Sequence, residues 1–195
     1  MPAARDPSAD QVVDLVHHCL AGEAWATAAL VKRFERPVFA LCFRMLGQRE
    51  DAEDVAQESL VRALRSLRNW DSSRDFVPWL LAIAGNRCRT LLSARARRPR
   101  PSGEIEHIED PAPSPERARD LGEEVERALA GLRLEYRQAF LLFHEQEMTY
   151  LEIAEAMDCP LGTVKTWVHR ARRELIEQLR ARDVLRENQR ALRRV

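Results

Sequence analysis

The sequence predicts an all-α fold: two small helical domains joined by a flexible, Pro-rich, acidic linker, the second domain carrying a helix-turn-helix. Three observations carry this expectation. Residues 10–98 keep a helical apolar period and contain no alternating β-branched runs. Residues 99–117 hold five of the ten prolines and read as an extended connector. Residues 118–181 return to helical periodicity and end in two short segments joined by a tight turn. A basic extension, residues 182–195, follows.

Bulk properties narrow the function classes. At 195 residues and 45% hydrophobic content, the chain can bury a core. It has no run of 18 apolar residues, so no membrane insertion is expected. The start, Met1-Pro-Ala-Ala-Arg-Asp6, lacks the pattern of a signal peptide, and a cytoplasmic location is the expectation. Cys19, Cys42, Cys88 and Cys159 are scattered without a C-x-x-C spacing, which favours buried free thiols. His17-His18-Cys19 are adjacent residues that point different ways on a helix, so no metal and no cofactor is expected. Net charge is zero, but it is unevenly placed. Residues 84–100 carry six Arg and no acid, residues 101–126 nine acids against two Arg, and residues 161–195 ten Lys/Arg against four acids. Two separate basic surfaces suggest two contacts with one polyanion, and overall neutrality suggests weak DNA binding without a partner.

The first element with chemistry is the segment from Gly47 to Leu64. On a helix, Ala56, Leu60, Leu64 and Leu67 face inward. Asp51, Asp54 and Glu58 line another face, continued by Arg62 and Arg65. Acids at a helix start suit the dipole, so a solvated helix end explains the strip. The alternative is a docking strip for a basic protein surface, although the charge pattern by itself favours the solvated helix end.

The second element runs from Phe76 to Arg98, with Asp75 as its cap and Pro78 in its first turn. Leu80, Ala84, Cys88 and Leu91 make its apolar face. Trp79, Asn86, Thr90, Ser93 and Arg97 make a polar stripe headed by an aromatic. Aromatic and amide groups beside arginines suit unpaired bases, although a Trp at this spacing also suits a core.

The third element is Thr149 to Arg173. Thr149 and Glu152 form the S/T-x-x-E capping pattern. Leu151, Ile153, Ala154 and Met157 supply the buried side of the helix it starts. Asp158-Cys159-Pro160 stops that helix. On a helix starting near Leu161, Val164, Val168, Ala171 and Leu175 share one face. Thr163, Thr166, His169, Arg170 and Arg173 fall on the other. A helix with one face packed and the other hydroxyl-rich and basic fits the DNA major groove, and equally an amphipathic helix with a solvated side.

Together these blocks carry a family resemblance. The chain resembles the extracytoplasmic-function (ECF) class of bacterial sigma factors, of the sigma-70 family, over roughly residues 10–180. Asp51-Ala-Glu-Asp-Val-Ala-Gln-Glu58 looks like the helix that docks on the clamp of core RNA polymerase. Phe76 to Arg98 looks like the segment that recognises and melts the −10 promoter element. Tyr136 to Leu175, with Gly162-Thr-Val-Lys165, looks like the −35-binding domain. The resemblance implies core RNA polymerase (clamp and flap) and promoter DNA as partners, an anti-sigma factor as regulator, and no enzymatic activity. It implies polymerase contacts by Asp51, Asp54, Gln57 and Glu58. It implies −10 contacts by Asn69, Trp70, Asp71, Asp75, Trp79, Asn86, Arg87 and Arg97. It implies −35 contacts by Thr163, Lys165, Thr166, His169, Arg170 and Arg173. The acidic linker would thread the polymerase's RNA path. The chain departs from the family pattern at Thr90 and Ser93, where relatives often carry Asp and Arg, and at Thr166-Trp167, where many carry Ser-Arg.

Two other classes compete. A stand-alone operator-binding regulator uses the helix-turn-helix but leaves the acidic strip and the Trp79 stripe without a role. A metallohydrolase uses the acidic cluster, but the chain lacks H-E-x-x-H, a P-loop and a nucleophile elbow.

Overall fold

The computed structural model describes residues 7–97 and 116–181. Among them the chain forms eight α-helices, one 3-10 turn and no strand. The calls on residues 99–115 and 182–195 lie outside the described residues.

The first half is built from α1 (Pro7–Leu20), α2 (Ala24–Leu46), α3 (Arg49–Arg65) and α4 (Phe76–Arg97). A 3-10 turn, Leu67–Asn69, leads into the loop before α4. Helix α2 buries Ala26, Leu30, Phe34, Val38, Leu41 and Met45, a three-to-four-residue period that defines one face. It stops at Gly47, whose φ of 74° is left-handed and whose N–H donates to the Phe43 carbonyl at 2.8 Å.

Helix α3 starts with Glu50 and Asp51 and ends with Arg62 and Arg65, matching both poles of the helix dipole. Its buried strip is Ala52, Val55, Ala56, Ser59 and Ala63. Leu67 is buried as expected, but Leu60 and Leu64 are only half-buried and flank that strip. The small side chains face α2 and α4, and the leucines pack at the edges of the contact. Buried Ser59 satisfies its hydroxyl by donating to the Val55 carbonyl at 2.6 Å.

Helix α4 buries Leu80, Ala84 and Cys88 as expected, while Leu91 is half-buried. It also buries Phe76, which extends the Leu80, Ala84, Cys88 row and meets Phe34 of α2, and Leu81 and Gly85, which give it a second covered face. Contact with Cys88, together with burial, pushes the Cys42 thiol far above its usual range. This pair is inert packing between α2 and α4.

The second half holds α5 (Glu116–Ala130), α6 (Leu134–His144), α7 (Tyr150–Ala156) and α8 (Leu161–Ala181). Helix α5 takes in Glu116 and Arg117, which the proline pattern assigns to the linker. The Thr149 capping box is complete: its Oγ1 accepts from the Glu152 N–H, and its own N–H donates to the Glu152 carboxylate at 2.6 Å. Ile153, Ala154 and Met157 are buried, but Leu151 is 60% exposed. On so short a helix Leu151 lies opposite the covered side. Asp158 takes a left-handed φ of 49° in the turn, and α8 buries Val164, Val168, Ala171 and Leu175.

The two halves pack together, α6 and α7 on α4, and α5 and α6 on α2. This contact covers the second face of α4. At its centre Arg137 and Gln138 are buried. Arg137 donates from Nε and Nη2 to the Arg44 carbonyl, at 3.0 and 2.6 Å. Burial pulls the Arg137 pKa down to about 10, which leaves it charged at neutral pH. Arg44 in turn pairs with Glu126 and Glu145.

Candidate nucleic-acid interface

Three surfaces gather the residues singled out in the sequence. The first is the outer face of α3. Asp54 and Gln57 are exposed there and make no side-chain bond among the described residues. Asp51 and Glu58 are engaged with α4. Asp51 receives two bonds from Arg95, at 2.5 and 2.6 Å. Glu58 receives one from Arg87 at 2.5 Å and pairs with Arg62 at 2.9 Å. The Arg87 bond, with help from Arg62, holds the Glu58 carboxyl below its ordinary range. The bond with Asp51 raises the Arg95 guanidinium further.

The second surface is the 69–75 loop with the start of α4. Asn69 closes the 3-10 turn through its N–H to the Ser66 carbonyl at 2.8 Å. Asp71 organises the loop: its Oδ1 accepts from the Ser73 N–H at 2.9 Å and hydroxyl at 2.7 Å. Asp75 is exposed. Trp70 is buried at 9% exposure and meets Phe76 edge-on, with ring centroids 5.1 Å apart. It therefore supports the loop from beneath. Trp79 is half-buried, 5.4 Å from Phe76. It packs on the core, as a Trp at this spacing was also expected to do, and it lines a groove. That groove, of about 380 Å³, is bounded by Asn69, Trp70, Asp71, Asp75 and Trp79, and on its far side by Glu152 and Glu155 of α7. Further along α4, Asn86, Thr90 and Arg97 are exposed, and Arg87 and Ser93 are half-buried. The Thr90 hydroxyl is turned back onto the Asn86 carbonyl at 2.9 Å.

The third surface is the outer face of α8. Lys165, Thr166, His169, Arg170 and Arg173 are exposed on it, and Thr163 is half-buried. Thr166 donates its hydroxyl to the Gly162 carbonyl at 2.8 Å. Arg170 reaches the Tyr136 hydroxyl at 2.9 Å, and Arg173 lies 3.6 Å from Glu177. Trp167 is half-buried and packs against the core.

The ion pairs Asp51–Arg95, Glu58–Arg87 and Arg74–Glu155 have no signature in the sequence, because their partners lie 29 to 81 residues apart. The only available signal was coarse: acids on the segment that became α3, arginines without acids on the one that became α4. His17 and His18 are exposed and Cys19 half-buried. Among the described residues no group of three His, Cys, Asp or Glu side chains is placed to hold a metal ion. No helix among them is long and apolar enough to cross a membrane.

Comparison with known proteins agrees with this layout. The model of Sigma-70 region 2 matches residues 30–98, and that of Sigma-70, region 4 matches residues 122–175. The ECF RNA polymerase sigma factor SigW of Bacillus subtilis is 32% identical over 175 residues, spanning 82% of this chain and 91% of that protein. The ECF RNA polymerase sigma-E factor of Haemophilus influenzae is 34% identical over 186 residues, spanning 87% and 96%. Among solved structures, CnrH in complex with the cytosolic domain of CnrY is 27% identical with a TM-score of 0.65, over 89% of this chain and 98% of that one. The sigma factor RpoE of Bartonella quintana, solved with the anti-sigma factor NepR, shares the fold at 20% identity and a TM-score of 0.61, over 78% and 96%. On these matches, across both helical halves, the chain belongs to the ECF sigma factors of the sigma-70 family.

Proposed function

We propose that this sigma factor reads promoters through two anchors and docks on core RNA polymerase through a third surface. The observation that carries the reading is the separation of roles on α8. Its apolar strip is wholly consumed by packing, and its exposed face offers Lys165, Thr166, His169, Arg170 and Arg173. Thr163 stands half-buried at the entry of that face. Such a face enters the −35 major groove, where Arg reads guanine and Lys or Thr holds phosphates.

The 69–75 loop, with Trp79, Asn86, Arg87 and Arg97, takes the −10 non-template strand. Asn69, Asp71 and Asp75 present edges to flipped bases, and Trp70 holds the loop's shape. Capture of unpaired bases offsets the unstacking cost, so no nucleotide hydrolysis is required. Helix α3 docks on the polymerase clamp through Asp51, Asp54, Gln57 and Glu58, and the second half on the flap. Structures of CnrH and RpoE with partner proteins support a regulator of the anti-sigma type here, and a cytoplasmic site of action follows from the polymerase itself. We assign residues 10–98 and 118–181 to these two working domains, 99–117 to the connector and 182–195 to an extension. Neither catalysis nor a cofactor enters the scheme.

Run-off transcription with core polymerase across a genomic promoter library tests this reading. A subset of promoters should fire only when the protein is added, and they should share two spaced elements. Tight binding of the free protein to duplex operator sites, with no transcript from any promoter, would replace it with a stand-alone regulator.

A further inference from the structure

We infer that Tyr136 is a positioning residue for promoter reading: from within the second half, its hydroxyl holds the guanidinium of Arg170 in place on the outer face of α8. The inference rests on the −35 reading above and adds to it a residue that touches no DNA.

Tyr136 lies in the first turn of α6 and is only 3% exposed. Core packing fixes its ring, and the Arg133 guanidinium lies over that ring, 5.1 Å from its centroid. The hydroxyl is therefore a fixed point where α6 packs on α8. Arg170 is exposed and donates from Nη1 to that hydroxyl at 2.9 Å. The two residues stand 34 positions apart, so no local spacing in the sequence announces the pair.

The bond takes one corner of the guanidinium. Among the described residues Arg170 makes no other hydrogen bond, so its Nε and Nη2 donors stay unclaimed. Those two donors lie side by side on one edge of the plane. Such an edge pairs with O6 and N7 of guanine, or with two phosphate oxygens. Tyr136 thus restrains the side chain without using the edge that reads.

The other cations of α8 lack a buried anchor among the described residues. Arg173 pairs at 3.6 Å with Glu177 of the same helix, both side chains largely exposed. Arg172 meets Nε2 of the exposed His144 at 3.1 Å. An arginine entering a groove loses rotamer freedom, and a base contact needs its plane in one orientation. A buried partner imposes that order on folding, before DNA arrives. A buried phenol also needs a hydrogen-bond partner of its own, which is a purely structural reason for the same bond. The two reasons lead to different outcomes.

The test uses the holoenzyme on promoters found by the run-off screen, with Tyr136→Phe, Arg170→Ala and the double variant. Phenylalanine keeps the ring and its packing and deletes only the hydroxyl. Two quantities are read. One is affinity for a labelled promoter fragment with its −35 element intact or scrambled. The other is base preference at each −35 position, from a library randomised there. Tyr136→Phe should weaken binding about three- to tenfold, the effect of having to order one rotamer-rich side chain on binding, and only where the −35 element is intact. It should relax preference at the position that Arg170→Ala also relaxes, and it should add nothing once Arg170 is alanine. An equal loss in the Arg170→Ala background, or a loss spread evenly over all −35 positions, would show that the hydroxyl serves stability alone. Unchanged affinity and preference in Tyr136→Phe would show that Arg170 needs no restraint. Arg173→Ala reports separately on the −35 reading. If neither that change nor scrambling the element alters affinity, the −35 reading falls and this inference with it; if both weaken binding and Tyr136→Phe does not, only the positioning role falls.

Discussion

Asp51, Asp54 and Glu58 look alike in sequence, yet the fold gives them different work. Asp51 and Glu58 are tied to Arg95 and Arg87 of α4, so both help fix α3 against α4 before any partner arrives. Asp54 stands exposed with no bond of its own among the described residues. It can therefore meet a basic partner without first breaking an internal pair, and it should dominate docking. On the docking proposed above, Asp54→Arg would set like charges against the clamp and should weaken core binding at least about tenfold, measured by competition with labelled wild type, while the melting curve stays unchanged. Asp51→Asn should weaken core binding less and lower stability more. Among the described residues, the Arg173 guanidinium is restrained only by a 3.6 Å pairing with Glu177. Arg173→Ala should cost about 1–3 kcal/mol of binding to −35-containing promoter DNA in the holoenzyme, with core affinity intact.

Helix α7 shows what a single element depends on. It has seven residues, too few to hold itself, and its start is fixed by the reciprocal bonds of Thr149 and Glu152. Thr149→Ala should remove about 1 kcal/mol of stability, seen as a lower denaturation midpoint with an unchanged slope. At the other end of the preceding loop, His144 closes α6 with its ring 4.4 Å from that of Phe140 and 3.1 Å from the Arg172 guanidinium. A helix C-terminus normally favours a charged imidazole, but burial and Arg172 outweigh it and lower the His144 pKa. The folded state therefore disfavours the proton. Its stability contribution is complete above the unfolded pKa of about 6.5 and is lost as pH falls through that value towards the lowered folded pKa. The melting temperature should drop between pH 7.5 and 5.5, and His144→Gln should flatten that part of the drop. Both helices of the helix-turn-helix were legible because their signals are local: a cap, a proline and a four-residue spacing. Leu151 was misread for the same reason. Which side of a seven-residue helix is covered depends on neighbours far away in sequence.

The contact between the halves was the least legible feature of the whole molecule. Arg137, Gln138 and Gly85 carry no motif, and a buried Arg-Gln pair contradicts the pattern by which cores are recognised. The second covered face of α4 was invisible too, since Leu81 and Gly85 look like ordinary positions beside a stripe of Leu80, Ala84 and Cys88. The charge map marked two basic stretches along the chain, and in the first of them Arg87 and Arg95 are paired with Glu58 and Asp51 of α3; the two-anchor proposal leads to a test at this scale. If polymerase holds the two readers at a fixed separation, the second contact adds to the first only when the −35 groove faces α8 at that distance. Inserting 5 base pairs between the elements turns the −35 major groove by about half of the 10–10.5 base-pair turn and moves it about 17 Å away. The −35 anchor is then lost entirely while the −10 anchor keeps its full strength. Transcription from the altered promoter should fall to the level of one whose −35 element is scrambled, and no lower, and Arg173→Ala should have no further effect on it. Transcription persisting well above the scrambled level would mean that the two halves are not held apart at a set distance, and the two-anchor reading would fail with it.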